Sequence, residues 1–433
     1  MKGFFNFIIF QVLDQPSLFL GLIAMIGLLL QKKKGSAVVD GVIKTIVGLT
    51  ILGVGAEIVC DVMIPIMNLL NESLNINGVL PANEAAFAIA METLASDIVL
   101  TFIIGFFIHL ILVKIIPNKN FKNIYLTVHQ MLIVSSFLNM SIPSVITLSH
   151  WPKNILVSIL LAVYWTVGPA IARIYSKDWT GEQISLGHAQ AVGTWLSSKI
   201  GDFVGHPEDD AEKLELPGFL SMFKDTTISV SLIMTLIFVI VGFVVGPNKV
   251  YNLSEDTNWI IWLFLQAIKF TGGFVILMSG VRMFIGSLVP AFKGISDKFL
   301  PGAIPALDVP VFYPYSQMGA MFGFVGSILG TLAFLVLSFI VRFEVWVFPS
   351  PIIMFFDGCL MGVFANKRGG WKASILAGAI TGFIAHLGFV FLYPMTTALY
   401  GTGLTFSNLD YALIWLPLLY IIKIIANLFG LAV

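Results

Sequence analysis

The sequence predicts an all-α integral membrane protein of about 11 transmembrane helices, built as two inverted-topology repeats with re-entrant hairpins. Three observations carry this reading: the apolar composition, the Lys and Arg residues gathered after alternate apolar runs, and one long segment that occurs twice. Of 433 residues, 58% are hydrophobic and 11% charged, which excludes a water-soluble domain. The 24 basic and 24 acidic residues cancel, so nothing draws the chain to nucleic acid. Cys60 and Cys359 both lie in apolar runs, which excludes a disulfide framework and a cysteine-rich metal site.

Apolar runs of about 20 residues read as membrane helices, because backbone amides in hydrocarbon must be bonded within their own segment. In order these are residues 17–30, 41–60, 97–116, 124–147, 154–175, 226–246, 259–281, 318–341, 345–365, 373–394 and 411–430. Residues 1–13, with Lys2 as their charge, read as an interfacial lead-in and not as a cleaved signal. Lys32, Lys33 and Lys34 follow the first run, Lys114, Lys119 and Lys122 the third, and Arg173 and Lys177 the fifth. Arg282, Lys293 and Lys298 follow the seventh, and Lys367, Arg368 and Lys372 the ninth. Odd-numbered crossings then end inside, with the N-terminus outside and the C-terminus cytoplasmic. The polar stretch 176–225 falls on the cytoplasmic side. Its acidic residues Glu208, Asp209, Asp210 and Glu212 are either a solvated loop or a docking surface. No phosphate-binding loop, HExxH or CxxC pair is present, so nucleotide hydrolysis by this chain is not supported.

The repeat locates a site. Residues 42–84 align with 267–308: Lys44 pairs with Lys269, Gly48 with Gly273, Gly55 with Gly280 and Pro65 with Pro290. After one deletion Gly78 pairs with Gly302, Pro81 with Pro305, Ala82 with Ala306 and Glu84 with Asp308. The copies start in the second and seventh crossings, and an odd separation inverts one relative to the other, as in many permeases. The chain therefore divides into residues 1–225 and 226–433, the latter ending in helix 411–430. Hairpins near 78–96 and 301–317 would bring Glu84 and Asp308 to the midplane, where a carboxylate is a functional residue by default.

Other polar residues in apolar surroundings join them. Glu57 follows Gly55 and Ala56 at a break in the second crossing, and His129 stands beside Gln130 one turn into the fourth. His188, with Gln190, lies in ISLGHAQAVGTW, a short run that reads as a third re-entrant element. Glu57 is either substrate-facing or paired with a cation; Asp357 is either structural or part of the site. His109 and His386 read as interhelical hydrogen bonds. Carboxylates, imidazoles and amides without a cation cluster suit a polyhydroxylated ligand, whereas a phosphate or carboxylate would demand Arg or Lys. No metal or cofactor is called for.

At GVRMFIGSLVPAFKGISDKFLPGAIPALD, ISLGHAQAVGTWLSSKIG with LPGFLSMFKD, and MFFDGCLMGVFANKRGGWKAS, the chain resembles the ascorbate-type enzyme IIC membrane components of the bacterial phosphoenolpyruvate-dependent sugar phosphotransferase system. The resemblance implies a homodimeric permease of the cytoplasmic membrane, each protomer having a hairpin-bearing core domain and a second, dimer-forming domain. It implies L-ascorbate or a related sugar or polyol, taken from outside and phosphorylated by the phosphocysteine of a separate IIB protein, itself charged by IIA. No catalytic residue is then expected on this chain. The family's substrate-contacting positions fall on Gly55, Ala56, Asn83, Glu84, His129, Ile133, His188, Ala189 and Asp308. Ala56, Ile133 and Ala189 replace a hydroxyl and two amides shared by ascorbate carriers. The rival reading is a proton-coupled carrier of a polyhydroxylated solute, with Glu57, Glu84 and Asp308 as relay.

Overall fold

A computed structural model describes residues 16–74, 78–214, 225–300, 302–431 and 433. The lead-in at 1–13 and part of the polar stretch, 215–224, lie outside the described residues. The chain separates into two compact units, one of residues 1–78 and 215–295, the other of 79–214 and 296–433. Neither coincides with a half of the sequence.

The first unit is helical: α1 (Pro16–Leu30), α2 (Gly35–Leu74), then α7 (Thr226–Val245), α8 (Pro247–Ser254) and α9 (Trp259–Phe299), which ends just beyond it. Glycines let these helices touch. A Cβ on Gly41 would meet Leu28 Cδ1 at 2.5 Å, and one on Gly273 would meet Ile58 Cγ2 at 2.8 Å. α7 and α8 meet at a 115° bend. Pro65 and Pro290, the aligned prolines, sit inside α2 and α9.

The second unit adds short strands. Its order is β1 (Gly78–Pro81, its first residue contributed by the other unit), α3 (Asn83–Ile115), β2 (Asn123–Tyr125), α4 (Val128–Ser141), α5 (His150–Thr180), β3 (Ser185–Leu186) and α6 (Ala191–Val204). Then follow β4 (Ile304–Leu307), a 3-10 turn at Val309–Tyr315, α10 (Gln317–Val341), β5 (Trp346–Val347), α11 (Pro351–Leu392), β6 (Leu404–Thr405) and α12 (Leu416–Leu428). Two three-stranded sheets form, β5-β1-β6 and β2-β4-β3. β4 runs parallel to both neighbours, with Tyr125 opposite Ala306 and Leu186 opposite Leu307. β1 runs parallel to β6, with Pro81 opposite Thr405. The two repeated G-x-[LI]-P-A segments are thus the central strands. Each is flanked by strands from the other half of the sequence.

Several sequence expectations change here. Among the described residues, seven helices are long and apolar enough to cross a membrane, or eight with the bent pair α7–α8. The first expected crossing is a 15-residue helix. The fourth is β2 followed by the 14-residue α4, which is buried almost throughout; its apolarity reflects protein core, not lipid contact. The first hairpin segment is a strand leading into helix that continues through the third expected crossing. The second is a strand and a 3-10 turn that lead into α10. The ninth and tenth crossings form α11, 42 residues interrupted at Gly370, whose φ of 72° only glycine adopts easily. Straight, it would reach about 63 Å, twice a bilayer core. Instead Ser374 Oγ donates to Gly362 O at 2.9 Å, so the chain folds back. α10 packs against both limbs through Gly323 and Gly330.

The C-terminus also differs. Thr147 N–H donates to Leu431 O at 2.8 Å, so the chain ends beside the loop after α4, where the sequence reading put the two on opposite faces. The acidic stretch is not a free loop at Asp210 and Glu212. Glu212 Oε1 accepts from Ser316 Oγ (3.1 Å) and Met318 N (2.6 Å) at the start of α10. Asp210 Oδ1 accepts from Asn366 Nδ2 at 2.5 Å. His109 bonds Thr166 Oγ1 at 2.8 Å, and His386 lies 3.4 Å from Thr331 Oγ1, both between helices.

Candidate functional site

Three parallel strands ending at one level deliver three side chains to one place. Asp308 follows β4 directly, His188 is two residues past β3, and His129 four past β2, in the first turn of α4. His129 Nε2 lies 3.7 Å from Asp308 Oδ2, and His188 Nε2 lies 3.7 Å from Asp308 Oδ1. These gaps are too long for hydrogen bonds and short enough for strong electrostatic coupling. Ligand-binding crevices at the carboxyl ends of parallel strands are a general feature of such sheets, and here the same geometry occurs with strands of two to four residues.

Local chemistry holds each group. Asp308 caps the following turn, its Oδ1 accepting from Val309 N at 2.8 Å. Gly187 brings β3 against β4: its N–H donates to Leu307 O at 2.7 Å, and a Cβ there would lie 2.6 Å from Ala306 O. Burial pushes the His188 imidazole down to about 4, against the opposing pull of Asp308. It is therefore neutral at pH 7, with one donor and one acceptor nitrogen, and its buried Nδ1 has no hydrogen-bond partner.

Behind this triad lies a buried amide–carboxylate network. Asn408 Oδ1 accepts from Asn83 Nδ2 at 2.5 Å and from Gln130 Nε2 at 3.4 Å, and Asn408 Nδ2 donates to Asp357 Oδ1 at 3.0 Å. Gln190 Nε2 donates to the same Asp357 oxygen. Asp410 accepts from Tyr164 Oη (2.7 Å), Val192 N (3.1 Å) and Gly193 N (3.2 Å), capping α6. Burial raises its carboxyl to about 6. Phe137 packs edge-on to Tyr411 (4.8 Å) and Phe406 (5.4 Å), which clamps α4 to the segment after β6.

The structure thus brings together Asp308, His129 and His188, with Asn83 and Gln190 one layer behind. Ala189 and Ile133 are buried; the Ala189 carbonyl accepts from Asp410 N at 3.1 Å. Gly55 is buried and Glu57 exposed, both on α2 of the first unit. The side chains of Ala56 and Glu84 lie outside the described residues, although Glu84 falls in the first turn of α3. Sequence reasoning missed Asn408, Asp410 and Tyr164. Asn408 and Asp410 carry no sequence signal beyond their place at the polar edge of an apolar run.

Residues 11–410 match the family model EIIC-GAT, described as the sugar-specific permease component of the PTS system. The chain is also similar to the ascorbate-specific PTS system EIIC component of Mycoplasma pneumoniae (strain ATCC 29342 / M129 / Subtype 1), at 28% identity over 421 residues. That match covers 86% of this chain and 64% of the relative, so the chain spans somewhat less than two thirds of the relative's length.

Proposed function

This chain belongs to the PTS sugar-specific permease family, and from that membership we propose that it is the IIC component carrying L-ascorbate or a related sugar or polyol across the bacterial cytoplasmic membrane, coupled to phosphorylation by a separate IIB protein that IIA charges. The observation that carries the reading is the meeting of His129, His188 and Asp308 at the ends of three parallel strands. Asp308 offers carboxylate oxygens to ligand hydroxyls, and neutral His188 offers one donor or acceptor nitrogen toward the same space. The sugar's negative charge is small or absent, since the residues gathered here include no Arg or Lys. Asn83 and Gln190 back this polar group from one layer behind, and Glu84 is a further substrate-binding candidate. Gly55, Ala56 and Glu57 of α2, with Ile133 and Ala189, stand as further substrate-facing candidates.

Two features support an inverted repeat: the paired element order in the two halves, and the exchange of flanking strands between the two sheets. Alternating access then moves the site-bearing unit as a body, and phosphorylation traps the product inside. The protein works as a homodimer with its Lys- and Arg-rich loops cytoplasmic.

The test is phosphoenolpyruvate-dependent uptake of a sugar panel, ascorbate included, by vesicles holding the full chain with IIA and IIB. Phosphorylated sugar should accumulate in the presence of a protonophore. Unmodified sugar whose uptake collapses with the proton gradient would sink the reading.

A further inference from the structure

The segment Ser407–Asp410 buckles together the three chain segments that carry site residues. Ser407 N donates to Asn83 Oδ1 at 2.9 Å, Asn408 binds Asn83, Gln130 and Asp357, and Asp410 N donates to Ala189 O at 3.1 Å. Each partner adjoins a site residue: Asn83 precedes Glu84, Gln130 follows His129, and Ala189 follows His188. Asn408 is 4% exposed and holds φ at 91°, a conformation that costs a non-glycine residue energy and persists only where surroundings impose it. Nothing about helix formation requires this strain. It aims one amide so that its oxygen takes two donors and its nitrogen meets Asp357.

We infer that Asn408 is a positioning residue that sets sugar specificity, by fixing through Asn83, Gln130 and Asp357–Gln190 where the triad-bearing segments stand. Its side-chain hydrogen bonds run to Asn83, Gln130 and Asp357, so it acts through these neighbours. The inference rests on the proposed sugar-carrying role, and its hydrogen-bond inventory makes a reciprocal exchange possible. In N408D the acceptor toward Asn83 and Gln130 survives, but the donor to Asp357 is lost and two carboxylates face each other. In the double variant N408D/D357N the new carboxylate accepts from Asn83, Gln130 and the new amide nitrogen at 357, which stands where Oδ1 took both donors and gives its second hydrogen to Gln190 Oε1 once that side-chain amide turns over. The bonds from Asn83 and Gln130 keep their direction, and the two at position 357 are restored with theirs exchanged.

The full chain and these variants are reconstituted in vesicles with IIA and IIB, and sugar phosphorylation is measured across the panel beside thermal unfolding in detergent. N408D should raise KM at least about tenfold for the preferred sugar, and shift the ranking of sugars, with kcat per folded protein changed less than about threefold. The double exchange should recover KM to within about threefold. A wild-type KM in folded N408D, or a double variant that recovers thermal stability without recovering KM, overturns the inference and shows a merely structural cluster. A wild-type chain that phosphorylates no sugar overturns instead the function on which it rests.

Discussion

Replacing Gly187 by alanine tests whether the β3–β4 contact builds the site. The new Cβ would stand 2.6 Å from Ala306 O, 2.9 Å from Ala306 C and 3.3 Å from Thr127 Oγ1. Non-bonded heavy atoms prefer about 3.5 Å or more, and the first two contacts are backbone, so β3 must withdraw by roughly half an ångström to one ångström. That stretches the 2.7 Å bond from Gly187 N to Leu307 O toward its limit. It also carries His188, the next residue, away from Asp308. Overpacking costs about 1–3 kcal/mol and the weakened bond about 1 kcal/mol more. At roughly 2–4 °C per kcal/mol for a unit this size, the unfolding midpoint should fall by several degrees. KM for sugar should rise at least about tenfold. The assays are thermal unfolding of the purified chain and phosphorylation-coupled uptake. Gly35→Ala, where an added Cβ meets nothing within 4 Å, is the neutral control. A G187A protein with wild-type midpoint and KM would refute the argument that these strands position the site.

Four further outcomes follow. Asp308→Asn should abolish uptake while leaving a folded protein by size-exclusion chromatography; wild-type uptake would remove Asp308 from the site. Tyr164→Phe strips a 2.7 Å donor from the buried Asp410 carboxylate and should lower stability by about 1–3 kcal/mol, read by thermal unfolding. His188 titrates near 4 when folded and near 6.5 when unfolded, so the unfolded chain binds more protons between these values. Stability present above pH 6.5 should therefore be lost as pH falls toward 4, by up to about 3 kcal/mol, and H188Q should flatten that part of the unfolding profile. Glu212→Ala should cost about 1–2 kcal/mol by uncapping α10; an unchanged midpoint would return Glu212 to the solvated surface.

The membrane class, the repeat and the triad were legible in the sequence because each leaves a local mark. Hydrocarbon demands long apolar runs, an intramembrane acid or imidazole stands out against them, and the Gly-x-[LI]-Pro-Ala signature recurs whether or not its partner strands are known. The inner layer left weaker marks. Asn408 and Asp410 look like the polar edge of a span, and Asp210 and Glu212 like a solvated loop, since composition does not say which backbone amides await a cap. The apolar run 124–147 read as a crossing because core and lipid select the same side chains, so periodicity cannot separate α4 from a membrane helix.

Sequence alone determined that this chain lives among apolar surroundings, carries one segment twice, and sets His129, His188 and Asp308 as polar residues against apolar runs. Tertiary structure decided which strands pair, and hence that each repeat's central strand is flanked by strands of the other half. It also decided that α11 folds back at Gly370 and that α12 returns beside Thr147. The physical reason is that hydrogen bonding and packing between segments up to hundreds of residues apart, as between Asn83 and Asn408, depend on partners that no local pattern names.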